Sequence, residues 1–322
     1  MSKEKSQVTD ENQASDYDTA VSLLKRNPPE QRLDFQLPYS EFLRLEATWS
    51  MIKSKAKITE DARYPYLAYN SLTDTVTVVT VPRELHEVAA VELRREIMNS
   101  VNRYLSIHNP DAIGTIVDSG STKRKYGRGH YARSSKQSDG SFKYNDTIMV
   151  VVEVGCSQKY DALCRDKRLW MDGYGAKVCI LVRFEESPRF RNPSSPMDCT
   201  NDLVAERRTM MQHVNETGQS HYGPISYRGH KWVGTLKVAR IEVWRANSCK
   251  EYTLIEDGTP RDSLPNSIGL DISDFYPDDE WQLAGIEHGD ITIDSAVYVK
   301  FLKTAVVNMA VDRFADFIGR QR

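Results

Sequence analysis

The stretch that decides the fold is TIMVVVEVGCSQKYDALCRDKRLWMDGYGAKVCILV, residues 147 to 182. It opens with an apolar run from Ile148 to Val154, continues with a helix-like segment over residues 159–171, and closes with a second apolar run over residues 178–184. Two β-branched runs separated by one helix are typical of a β-α-β unit with both strands buried. The stretch therefore predicts an α/β (or α+β) fold with a mixed or parallel sheet.

One acid, Glu153, interrupts the first apolar run. An isolated buried carboxylate costs several kcal/mol, so an acid at such a position is expected to be paired, metal-bound or at the end of its strand. On this stretch alone, a strand-end glutamate that faces water is an equally good interpretation.

A second acid, Asp139, precedes Glu153 by 14 positions, with strand-like sequence between them. In a hairpin or on adjacent strands, the two carboxylates can approach within a few Å of each other. Two close carboxylates repel unless a cation lies between them, and oxygen ligands favour Mg²⁺ or Mn²⁺. Such a metal positions water and stabilises charge on a phosphoryl centre. Acids on paired strands also occur in proteins with no activity.

Composition and charge set the broad class. The chain has 322 residues and 40% hydrophobic content, which suffices for a sizeable core in one large or two small domains. Its net charge of −2 means that any nucleic-acid affinity must come from a local patch. Five cysteines without CxxC spacing favour a reduced intracellular protein, cytoplasmic or nuclear. No apolar run approaches the roughly 20 residues of a membrane span, so we expect no membrane partner.

The remaining segments predict four regions. Residues 1–30 are polar and predict a disordered leader with one short helix over 18–25, and residues 66–81 predict a β-hairpin followed by a long amphipathic helix over 84–107. Residues 187–230 are rich in Pro, Ser and Asn and predict a long, partly ordered insertion with a helix-like piece over 202–215. Residues 231–322 predict strands and a closing helix over 295–318, which complete or extend the core.

A basic segment, STKRKYGRGHYARSSKQ, spans residues 121–137 between two predicted strands. A basic, Gly-containing connection can contact phosphates, and a tyrosine within it can stack on bases. A solvated hairpin loop or a nuclear import signal accounts for the same composition. The candidate nucleic-acid contacts are Lys123, Arg124, Lys125, Arg128 and Arg133, with Lys136 at the end of the segment.

Three motifs, in order, resemble the PD-(D/E)XK nuclease superfamily and, within it, the Uma-type group of restriction endonucleases and its fungal relatives. They are TVPRELHEVAAVELRREI (residues 80–97), KQSDGSF (residues 136–142) and VVEVGCSQKYDALCRDKRLWMDGYGAKVCIL (residues 151–181). The resemblance spans about residues 63–184. It implies a restriction-endonuclease-like mixed β-sheet core over residues 31–186, flanked by helices, with the C-terminal strands and helix as an extension.

The resemblance implies that Asp139 and Glu153 are the metal-binding acids and that the carbonyl of Val154 is a further ligand. Ser138 stands in place of the proline of the motif, which has no chemical role. His86 resembles the histidine that starts the group's first helix, although a capping or packing role is as good an interpretation.

The chain departs from the superfamily at Gly155, where the superfamily has its lysine. In the Uma-type group this lysine lies on the following helix, and the matching residue is Lys167. A solvated helix residue is the alternative interpretation of Lys167, and Lys159 is the substitute candidate.

These observations predict a metal-dependent nuclease that hydrolyses phosphodiester bonds with Mg²⁺ or Mn²⁺, with Asp139, Glu153 and Lys167 as catalytic residues. The alternative is a catalytically degenerate module of the same fold that binds nucleic acid or protein, which the glycine at position 155 favours. A small-molecule enzyme has no support, because GxGxxG, P-loop and GxSxG motifs are missing from the sequence.

Overall fold

The computed structural model describes residues 15–26, 28, 32–56, 65–80, 84–156, 158–200, 202–278, 280–283 and 286–321. The helices in these ranges are α1 (Asp16–Arg26), α2 (Tyr39–Lys55), α3 (Glu84–His108), α4 (Tyr160–Arg168), α5 (Leu203–Glu216), α6 (Glu280–Leu283) and α7 (Ser295–Gly319). The strands are β1 (Arg32–Gln36), β2 (Tyr66–Asn70), β3 (Thr75–Val79), β4 (Ile116–Asp118), β5 (Lys123–Lys125), β6 (Ser135–Gln137), β7 (Gly140–Tyr144), β8 (Thr147–Cys156), β9 (Val178–Ser187), β10 (Ile225–Tyr227), β11 (His230–Val233), β12 (Thr235–Arg245), β13 (Ser248–Glu256), β14 (Thr259–Pro260), β15 (Ser267–Asp271) and β16 (Asp290–Thr292).

The largest sheet has the strand order β14-β13-β12-β9-β8-β7-β4 among the described residues. Its central pair, β8 and β9, is parallel, whereas the other neighbours run antiparallel. A parallel pair needs a crossover connection, and here α4 with a following π-helical turn, Leu169–Gly173, supplies it. The predicted β-α-β unit and the mixed sheet of the predicted α/β fold class are therefore confirmed.

A second sheet has the order β1-β3-β2-β6-β5. It contains the predicted hairpin, because β2 and β3 pair antiparallel from Tyr66 opposite Val79 to Asn70 opposite Thr75. Helices α1 and α2 cover this sheet and form a core of their own with it, in which Phe42 stacks on Tyr69 at a centroid distance of 4.9 Å. The second sheet contributes to the site through β6, because Lys136 of this strand contacts Glu153 of β8.

The main core lies between the large sheet and the two long helices, α3 and α7. Buried side chains recur at helical spacing on α3, for example Leu93, Ile97 and Val101. They pack together with residues of α7 and with the strands β8, β9 and β12 in one cluster. The predicted helices over 84–107 and 295–318 are confirmed, and β12, from the C-terminal region, pairs along β9. No helix in the described ranges is long and apolar enough to cross a membrane.

Within residues 1–30, expected to form a disordered leader with one short helix, the structure describes residues 15–26 and 28. Residues 16–26 form α1, in agreement with the predicted short helix, and Ala20, Leu23 and Leu24 are buried against the second sheet. Burial of these three apolar residues stabilises a helix in a segment whose overall composition is polar. Residues 1–14 of the expected leader lie outside the described residues. Within 187–230, the structure contains α5 and β10, and α5 packs against α7.

Candidate active site

Glu153 lies in the middle of β8 with 2% of its surface exposed, and both of its carboxylate oxygens accept hydrogen bonds. The indole Nε1 of Trp170 donates to Oε1 over 2.6 Å, and Nζ of Lys136 donates to Oε2 over 3.1 Å. The strand-end interpretation of this acid is therefore wrong: Glu153 is a buried, paired carboxylate. Trp170 packs the end of the α4 crossover onto the sheet, and its π-helical turn aims the indole N–H at the acid.

Lys136, on β6 of the second sheet, is 1% exposed and bridges two acids. Its Nζ also donates to Asp166 of α4 over 3.1 Å, and Arg32 of β1 contacts the same carboxylate oxygen over 2.7 Å. Burial opposes the charge on Lys136, but Asp166 and Glu153 outweigh it and raise the pKa of this lysine. Two cations thus face two acids in a buried network that links both sheets.

Asp139 lies immediately before β7. It is close to the level of Glu153 on β8, because the next residue, Gly140, pairs with Val152. Its Oδ2 accepts the backbone N–H of Val154 over 2.8 Å and lies 3.2 Å from Nε2 of His86, near the start of α3. Burial acts to raise the pKa of Asp139, but His86 outweighs it, so that the pKa of this acid is well below its usual value.

The pKa values of the two acids are shifted in opposite directions. Burial, with the like charges of Asp139 and Asp166, raises the pKa of Glu153 to about 8, although Lys136 and Trp170 act against the rise. The pKa of His86 is shifted by the same contact: burial acts to lower it, but Asp139 raises it to about 10. Carboxylates whose surroundings separate their pKa values are typical of functional sites.

Lys167 does not lie beside Glu153. Its Nζ lies 3.4 Å from the ring centroid of Trp244. The lysine that contacts the acid is instead Lys136, which the sequence analysis grouped with the basic segment. A Cβ at Gly155 would lie 3.1 Å from a side-chain carbon of Leu163 of α4, which is a tight contact. Packing of α4 against β8 therefore leaves little space for a larger residue at position 155.

Apart from Lys136, the basic residues of segment 121–137 contact parts of the protein other than Asp139 and Glu153. Lys123 and Lys125 pair with Glu46 of α2 at 3.1 and 3.6 Å, and Arg124 donates to the carbonyl of Asp146. The guanidinium of Arg128 packs against the backbone at Gly175, and that of Arg133 lies over the ring of Tyr39. Much of the charge predicted for nucleic acid is therefore engaged within the protein, and a role in binding stays a prediction.

Asp139 and Glu153 open onto a cavity of about 750 Å³. His86, Val154 and Tyr66 line it beside the acids, and the exposed Lys159 lies on its wall. The cavity has its own cationic side chains, which the sequence analysis did not identify apart from Lys159. These are Arg32, Lys159, Arg165, Arg189 and Arg313.

The donors at the acid pair fit a hard divalent cation. A carboxylate has roughly four acceptor positions, and the two hydrogen bonds to Glu153 leave room for a further partner. Among the described residues, no group of three or more His, Cys, Asp and Glu side chains has a metal-holding arrangement. Mg²⁺ is usually held by one or two carboxylates and completes its shell with water and substrate phosphate. The residues that would hold it are Asp139 and Glu153, with the predicted carbonyl of Val154.

Comparison with known proteins adds one distant likeness. No family model and no curated protein matches this chain. Among solved structures, a protein from Anabaena variabilis ATCC 29413, described as a "putative nuclease belonging to DUF820", is similar with a TM-score of 0.37 and 11% identity. The match covers 84% of this chain and 99% of that chain. The likeness is too distant to carry an argument, so the superfamily resemblance stays a prediction from the sequence motifs.

Proposed function

We propose that this protein is a divalent-cation-dependent hydrolase of phosphodiester bonds in nucleic acid. Asp139 and Glu153 are the cation ligands, Val154 supplies a backbone carbonyl, and Lys136, rather than Lys167, is the lysine that contacts Glu153. The observation that carries the proposal is the convergence of two acids and a lysine from three strand segments, despite Gly155.

The residues have distinct roles in this proposal. Lys136 does not line the cavity, so it acts as a positioning residue that favours the ionised form of Glu153 and holds Oε2. Trp170 fixes the other oxygen, so that the carboxylate cannot rotate away from the cavity. His86 keeps Asp139 ionised. A bound Mg²⁺ or Mn²⁺ supplies an activated water and stabilises the charge that develops on the phosphoryl group.

The cationic side chains in the cavity support a phosphate-containing substrate. Lys159 and Arg189 are exposed on its wall. Cations at such positions neutralise phosphate charge and orient a chain beside the acids. Because Arg32 and Arg165 are already paired with Asp166 and Asp34, the exposed pair is the more available for substrate.

A specific observation favours the second candidate, a module that binds nucleic acid without cutting it. Each acid already has a cationic partner, His86 for Asp139 and Lys136 for Glu153. A cation must compete with both partners, since like charges repel at these distances. If no cation displaces these partners, the cavity still binds phosphates but does not catalyse hydrolysis.

Cleavage of labelled single-stranded and duplex oligonucleotides with Mg²⁺ or Mn²⁺ tests the proposal. We expect the wild type to cleave, and Glu153→Gln to be at least about 100-fold slower because it removes an anionic ligand. Glu251→Gln is the matched control, since Glu251 is exposed on β13 and pairs with Arg240. Circular dichroism verifies that each variant is folded. A folded wild type that binds without cutting supports the second candidate, and equal rates for wild type and Glu153→Gln contradict the proposed site.

A further inference from the structure

The cavity at the acid pair extends well beyond the acids along the large sheet. Glu153 lies opposite Leu181 of β9, and the cavity is also lined by Phe184 and Glu186, three and five residues farther along that strand. At about 3.3 Å per residue, these positions lie roughly 10 and 16 Å from the level of Glu153. Leu236 of β12 pairs with Glu186 and lines the same wall. The cavity is therefore long enough for a nucleotide beyond the acids.

The extension has a largely apolar wall, which is interrupted by the ion pair of Arg313 with Glu186. Phe184, Val233 and Leu236 line it from the strands, and Val306 and Met309 line it from α7. All five of these side chains belong to the main core, and they form an apolar part of the cavity wall. The flat faces of a nucleic-acid base can pack against such a wall, whereas a charged phosphate cannot. The arrangement suits a base in the extension and its phosphate at the acids.

The volume of the cavity limits what can enter. About 750 Å³ lies within the range of small-ligand pockets, so it accommodates a nucleotide-sized group. A base inside a duplex is paired and stacked, so it cannot enter a nucleotide-sized cavity while the duplex is intact. A base can reach the apolar extension only when it is unpaired from its complement.

We propose that the substrate is single-stranded nucleic acid, or a strand whose terminal nucleotide is unpaired, with one base in the apolar extension. The exposed Lys159 and Arg189 contact the phosphates of that strand as it enters. This proposal deepens the proposed function and rests on it for the chemistry, although the binding it describes does not require cleavage.

Binding in EDTA tests the proposal without any metal-dependent step. A fluorescently labelled 12-nucleotide single strand is compared with its blunt duplex by anisotropy, and we expect the single strand to bind at least about tenfold more tightly. The double variant Lys159→Glu with Arg189→Glu should lose at least about tenfold in affinity for the single strand. The matched control, Arg208→Glu on the exposed face of α5, should change the affinity by less than about threefold.

Duplex binding as tight as single-strand binding, or equal losses in the double variant and the Arg208→Glu control, would overturn the proposal. A cleavage arm with Mn²⁺ separates it from the proposed function. We expect the blunt duplex to be cut at least about tenfold more slowly than the single strand, and a duplex with a mismatched end to be cut at an intermediate rate. If no oligonucleotide is cut, the proposed function fails, while the anisotropy measurements still decide whether the cavity holds single strands.

Discussion

Nζ of Lys136 lies 3.1 Å from Oε2 of Glu153, although the two residues belong to different sheets. The contact joins β6 of the second sheet to the central strand β8, and both side chains are almost fully buried. An acid in a buried strand and a lysine in another sheet each need the other, since an unpaired buried charge costs several kcal/mol. The pair therefore ties the packing of the two sheets to the geometry of the site.

Lys136→Met and Lys167→Met separate the two candidate lysines. Because Lys136 lowers the pKa of Glu153, its loss should shift the pH profile of cleavage toward higher pH and reduce the rate at pH 7 by at least about tenfold. Lys167→Met should leave the profile in place, since Lys167 contacts Trp244. Rates measured from pH 6 to pH 9, with Lys136→Arg as a rescue variant, provide the comparison. An unchanged profile for Lys136→Met would contradict the positioning role.

Trp170→Phe should destabilise the protein by about 2 kcal/mol, because it keeps a smaller aromatic ring but removes the donor to a buried carboxylate. Trp232→Phe is the matched control. Trp232 is equally buried, but its indole donates to the neutral carbonyl of Tyr227, so about 1 kcal/mol is expected. Urea unfolding measures both free energies of unfolding. The account also predicts slower cleavage for Trp170→Phe alone, and equal rates in the two variants would count against it.

The stability of the metal-free protein should fall as the pH rises from about 6.5 to 10. Asp139 raises the pKa of His86 from its ordinary 6.5 to about 10, so the stabilisation that His86 contributes is fully present below pH 6.5 and is lost as the pH approaches 10. Each tenfold change in proton affinity corresponds to about 1.4 kcal/mol, so we expect a loss on the order of 5 kcal/mol.

Unfolding in EDTA at several pH values measures this loss, with His86→Gln as the comparison. Glutamine can still donate toward Asp139 but does not titrate, so its stability should decline less over the same range. Glu153 changes stability in the same direction, because its folded pKa of about 8 lies above its ordinary value and the stabilisation from its bound proton is lost as the pH rises to 8. Parallel curves for wild type and His86→Gln would refute the assignment to His86.

Gly173→Ala should destabilise the π-helical turn that orients Trp170. A Cβ at this position would lie 2.9 Å from Leu169 and from Tyr131, and overpacking of this kind costs about 1–3 kcal/mol. Gly319→Ala is the control, since no atom lies within 4 Å of a Cβ there. Thermal unfolding compares the two, and a similar melting temperature for both variants would show that the turn tolerates the side chain.

The β-α-β unit was predictable because its pattern is local. Two β-branched runs and one amphipathic segment determine β8, α4 and β9, and the single acid in the first run identifies Glu153. The partnership of Asp139 with the same strand followed from its short separation along the chain. The long helices α3 and α7 were also evident from their apolar spacing.

The lysine was not predictable in the same way, because its contact depends on how two sheets meet. Lys136 occurs among other basic residues in a polar segment, which favours a solvated loop, yet β6 buries it. The signal that could have identified it is its place three residues before Asp139, in a strand-like segment where a buried cation would need acids. Arg32 and Asp166 were not identified from the sequence for the same reason, since neither stands out among its sequence neighbours.

Titration of the metal-free protein with Mn²⁺, followed by electron paramagnetic resonance, tests the acid pair most directly, because it needs no knowledge of the substrate. The account predicts one bound Mn²⁺ per chain in the wild type, and a loss of at least about tenfold in affinity in both Asp139→Asn and Glu153→Gln. Glu251→Gln should bind as the wild type does. Failure of the wild type to bind Mn²⁺, or equal affinity in the wild type and both site variants, would contradict a cation site at Asp139 and Glu153.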